Sequence, residues 1–60
     1  MIKITKAQQR ALLEVYNRRP GQLGSYLAFR RTARVHYGDC VMVPWAGMIL
    51  GIETDGYTHS

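Results

Sequence analysis

The hydrophobic period of this sequence changes near Gly38, and that change limits what it can fold into. Up to about Arg34 the apolar residues recur every three to four positions, the spacing of a helix with one buried face. After Gly38 they follow an extended pattern interrupted by turn residues. This order predicts an α+β fold: two helices followed by a β-hairpin, packed as a small antiparallel sheet with helices on one side. With 60 residues the chain is one domain, 1–60, and buries only about 60% of its unfolded surface. Cys40 is the single cysteine, so an internal disulfide is excluded, and one thiol suits a reducing compartment. A metal, a partner or self-association are the supports left to so small a core. Hydrophobic residues make up 47% and charged residues 20%, a folding composition. No apolar run approaches the roughly 18 residues of a membrane span. No signal-peptide pattern opens the sequence, so a cytoplasmic location is expected.

The turn and cap residues divide the chain further. Ile2-Lys3-Ile4 alternates as a short edge strand would. Thr5 reads as an N-cap, and Gln8 three residues later completes a capping box. Good helix formers run from Lys6 to about Arg18, with Leu12, Val15 and Tyr16 on one stripe and Arg10, Glu14 and Arg18 in an outer row. Pro20-Gly21 ends this helix. Ser25 is a second N-cap, and Tyr26 to about Arg34 reads as the second helix. Strands are expected at 40–44 and 48–53, joined by Pro44-Trp45-Ala46-Gly47, with a short third strand at 57–59 beyond the Asp55-Gly56 turn. The expected core is Leu12, Val15, Tyr16, Leu27, Phe29, Val41, Val43, Leu50 and Ile52.

Charge is distributed as unevenly as hydrophobicity. All eight Lys and Arg lie within residues 1–34, where Glu14 is the only acid. Residues 35–60 hold Asp39, Glu53 and Asp55 and no Lys or Arg. The formal charge of +4 therefore hides a basic first part and an acidic second part. Such a chain carries a field suited to an anionic partner, and its arginines fork onto phosphate. It is also the wrong sign for a mimic of DNA.

The segments T-K-A-Q-Q-R-A-L-L-E-V-Y (Thr5 to Tyr16) and S-Y-L-A-F-R-R-T-A-R (Ser25 to Arg34), followed by V-M-V-P-W-A-G-M-I-L-G-I-E (Val41 to Glu53), carry a resemblance. Their order resembles a stripped-down winged helix-turn-helix module, in the style of small bacteriophage accessory proteins. The sequence departs from that pattern in leaving little room for a third helix at 19–24 and in having no base at the wing tip. The resemblance implies that the second helix faces the DNA major groove. Lys6, Arg10, Arg30, Arg31 and Arg34 are then the expected nucleic-acid contacts, made to phosphate more than to bases.

Met42, Trp45 and Met48 cluster around the expected hairpin turn. Exposed, they would form an adaptable patch for a protein partner. That partner would be a host protein in a phage setting, or a second copy in a homodimer. The other reading folds Trp45 back over the core. His36, Asp39, Cys40 and His59 are the nearest approach to a ligand set, but H-x-x-D-C has no standard zinc spacing. Cys40 beside Val41 reads as a small buried hydrophobe. No metal, cofactor or catalytic residue is therefore expected, and the chain is not read as an enzyme.

Overall fold

The computed structural model describes residues 3–18 and 24–60. Most of the connector expected at 20–24, and Ile2 of the expected edge strand, lie outside the described residues. Lys3 and Ile4 are not part of a strand. Ile4 instead packs against the core.

Helix α1 spans Lys6–Arg18. Its start is fixed by the capping box: the Thr5 N–H donates to Gln8 Oε1 at 2.9 Å, and the Gln8 N–H donates to Thr5 Oγ1 at 3.0 Å. Gln8, Ala11, Leu12 and Val15 form its buried stripe. Helix α2 spans only Tyr26–Arg31. Ser25 caps it, accepting from the Ala28 N–H at 3.1 Å. The helix stops short of the expected Arg34: the Thr32 and Ala33 N–H groups turn back to the Phe29 and Arg30 carbonyls, and side chains also take up carbonyls around this end. The Thr32 hydroxyl donates to the Phe29 carbonyl at 2.6 Å, and the Arg34 guanidinium donates to those of Arg31 and Ala33 at 2.8 and 2.9 Å. Tyr16 meets Tyr26 edge-on at 5.4 Å and Phe29 at 5.9 Å, seating α2 on α1.

The sheet has four strands: β1 (Arg34–Val35), β2 (Val41–Trp45), β3 (Met48–Ile52) and β4 (Thr58–His59). They lie in the order β1-β2-β3-β4, and each neighbouring pair is antiparallel. A short 3₁₀ turn, Tyr37–Asp39, links β1 to β2. The central hairpin turns on two residues, Ala46 and Gly47, with φ of 55° and 78°. Two positive φ values in a two-residue loop match the right-handed strand twist. Strand β2 therefore continues one residue past the expected end at Pro44, through Trp45, which the sequence places in the turn. Trp45 pairs with Met48 beside that loop, and Pro44 pairs with Ile49. The closing pair of such a hairpin is the hydrogen-bonded one. The position of the N–H that Pro44 lacks thus points away from β3, where proline is tolerated.

Alternation along β2 and β3 sends Val41, Val43, Leu50 and Ile52 toward the helices. With Ala11, Leu12, Val15, Phe29 and Ala33 they make the core. Leu27 corrects the expected core, being 58% exposed. It sits two residues from Phe29, about 200° around the helix, so both cannot face inward. Trp45 shares the inward face and packs on the core, its indole N–H donating to the Val15 carbonyl at 3.2 Å. Gln8 is 1% exposed. Its side-chain amide donates to the carbonyls of Asp39 at 2.7 Å and Ile52 at 3.0 Å, tying α1 to the end of the sheet where β2 begins and β3 finishes. Among the described residues no helix is long and apolar enough to cross a membrane.

Candidate functional site

Successive turns of α1 bring Lys6, Gln9, Arg10 and Leu13 to one side of the helix, away from its buried stripe. Tyr26, at the start of α2, closes this row into an open depression of about 370 Å³. Arg30 lies one turn beyond Tyr26 and is half-buried, whereas Arg31 is exposed and lies one turn beyond the outward Leu27. Two of the five expected nucleic-acid contacts, Lys6 and Arg10, thus border the depression, and Arg30 follows Tyr26 on the same side of α2. Arg34 stands instead on β1, paired with Met42, and its guanidinium is engaged at the end of α2. Among the described residues the one carboxylate within 4.0 Å of a basic side chain is Glu53, and its neighbour is His59, not a Lys or Arg. The described Lys and Arg side chains are therefore not neutralised by carboxylates, Glu14 included.

The Met42, Trp45 and Met48 patch is not assembled. Trp45 and Met48 lie opposite each other on the helix-facing side, while Met42 pairs with Gly51 on the other. Strand alternation separates them, as one residue of offset reverses the face. On the open side Thr32, Arg34, His36, Met42, Pro44 and Ile49 border a second depression of about 260 Å³.

The sheet also gathers side chains that sequence spacing kept apart. The pairing of Val41 with Ile52 sets Cys40 across from Glu53, just beyond the two strands. The pairing of Gly51 with His59 brings the imidazole to the same open face. One ligating atom from each of Cys40, Glu53 and His59 lies within 4.8 Å of the others. His59 Nε2 is 2.6 Å from Glu53 Oε2, and Cys40 Sγ is 3.7 Å from Met42 Sδ. The Cys40 thiol is pushed above its ordinary value of 9.0 by burial first, and then by the negative charge of Glu53. His36 and Asp39, the other members of the expected ligand set, belong to no such group. The signal that finds Glu53 is the loop length: a two-residue turn at 46–47 fixes the register and so the neighbour of Cys40. No protein-family model, curated protein or solved structure matches this chain.

Proposed function

We propose that the protein binds nucleic acid, holding the phosphate backbone of DNA against its helix layer with Lys6, Arg10 and Arg30 around Tyr26. Arg31 lies on the flank of this surface. The observation that carries the reading is the set of cations on the helices that no carboxylate neutralises. Unpaired cations gain by displacing condensed counterions from DNA. Tyr26 offers a flat ring among them on which an exposed base could stack. Two helices followed by an antiparallel hairpin support the winged-helix comparison at the level of element order. The second helix, at six residues, is about 9 Å long, and Phe29 is committed to the core. Such an element is suited to positioning on phosphate more than to reading bases.

Binding of a labelled random-sequence duplex, followed by fluorescence anisotropy at several salt concentrations, tests this. Log affinity should fall linearly with log salt, with a slope near −3 if three phosphates are contacted. Lys6→Ala, Arg10→Ala and Arg30→Ala should each reduce that slope by about one. A folded protein that shows no binding at low salt removes the proposal.

A second reading, a protein-interaction module, is favoured by the open side of the sheet. There Met42, Pro44 and Ile49 line a depression whose exposed wall is largely apolar. Ile49→Asp would abolish partner binding in that case and leave DNA affinity little changed.

A further inference from the structure

We propose that Cys40, Glu53 and His59 form a binding site for one zinc-type divalent ion on the open face of the sheet. The ligands are the thiolate sulfur, a carboxylate oxygen and the imidazole nitrogen. This site is independent of the helix-layer surface described above.

The donor set is the first argument. Zinc takes sulfur at about 2.3 Å and nitrogen or oxygen at about 2.0–2.2 Å in a tetrahedron, so its ligating atoms stand roughly 3.3–3.8 Å apart. Here they all lie within 4.8 Å of one another. The 2.6 Å contact between Glu53 and His59 must open by about an ångström to reach that spacing. This adjustment is open to the two outer ligands, whose side chains are 39% (His59) and 45% (Glu53) exposed. Mixed sulfur, nitrogen and oxygen donors select a zinc-class ion over magnesium or calcium, which take oxygen.

The second argument is the shape of the strand beneath the imidazole. A Cβ on Gly51 would lie 2.8 Å from His59 Cε1, 3.0 Å from Nε2 and 3.3 Å from Met42 Sδ. The ring therefore rests on a bare stretch of β3 that any side chain would fill. Met42 walls the site on the side of Cys40.

The third is position in the chain. Cys40 precedes β2, Glu53 follows β3, and His59 lies in the two-residue β4. One ion would tie three strands together in a chain whose lone cysteine cannot form an internal disulfide, and ion binding would then be coupled to folding. Three protein ligands leave the fourth position to water.

The test uses the full chain, reduced and stripped with chelator. Zn²⁺ is titrated in competition with a chromophoric chelator, and Co²⁺ is titrated while the absorption spectrum is followed. The expected result is one equivalent bound, a sulfur-to-cobalt charge-transfer band, and a rise in melting temperature that chelator reverses. Cys40→Ser should abolish the band and weaken binding at least 100-fold, about the upper end of the cost of losing an outer-sphere partner. Gly51→Ala displaces only the far ends of the His59 and Met42 side chains, so circular dichroism should stay native while affinity falls at least about tenfold. Glu53→Gln, at an outer position, should also fold and bind more weakly. His36→Ala should bind as the parent does. Absence of one-equivalent binding overturns the proposal. So does binding that survives unchanged in folded Gly51→Ala and Glu53→Gln, whatever the folding of Cys40→Ser.

Discussion

Gln8 does two jobs with one side chain. Its amide oxygen completes the α1 cap, and its amide nitrogen bridges the carbonyls of Asp39 and Ile52. Removing it strands the buried Ile52 carbonyl, at a cost of about 1–3 kcal/mol, and also unpairs the more exposed Asp39 carbonyl and the cap. Gln8→Ala should therefore lower the unfolding free energy by about 2–3 kcal/mol in urea. Gln8→Glu should cost more at neutral pH, because it sets a carboxylate against two carbonyl oxygens. Equal stability of Gln8→Glu and the parent would mean the bridge is not made. The capping half of this role is visible in the T-x-x-Q spacing, whereas the bridge depends on residues 31 and 44 positions away. No local pattern reaches that far. Cys40 makes a different prediction. Burial and the Glu53 carboxylate favour its neutral thiol in the fold. Its stabilising contribution is thus fully present below the unfolded thiol value of 9.0 and is lost as pH rises through the higher folded value. In the metal-free protein at pH 8, iodoacetamide should modify Cys40 more slowly than in the urea-unfolded chain. Glu53→Gln should recover part of that rate, since burial remains.

At the scale of elements, the ends carry more information than the middles. Both helix starts were legible because Thr5 and Ser25 act through neighbours three residues away. The end of α2 was not, since Arg34 reaches back to it from a strand. Strand β1 has two residues and no period to detect. It exists because Met42 and Val41 offer it an edge. Arg34→Ala should fray α2 and cost about 0.5–1.5 kcal/mol, followed by thermal unfolding. It should leave the salt slope of DNA binding unchanged, unlike Arg10→Ala. Arg34→Lys should not restore stability, because one ammonium cannot reproduce the fork. The hairpin turn offers a change in the opposite direction. Ala46 holds φ of 55°, a conformation that strains alanine by about 1 kcal/mol and that asparagine accepts. Ala46→Asn should raise the melting temperature, and no rise would place the turn in another class.

Across the whole molecule, the two parts of the sequence become two layers. The helices carry most of the bases, while Asp39, Glu53 and Asp55 lie in the sheet and its loops. The α+β class was legible because the change of period survives packing intact. The Cys40–Glu53–His59 cluster was not, because its members come from three separate strand ends and meet only through register. With β2 ended one residue early, at Pro44, Cys40 faces Ile52 instead of Glu53 and the cluster is hidden. The same hairpin has a further consequence through Pro44. Beyond Met42 no described strand covers the β1-side edge of β2. An open row of donors and acceptors there would invite neighbouring molecules to add on, strand by strand, into a ribbon. Proline removes the donor where the next molecule would need it, so the edge is a poor template for its own kind.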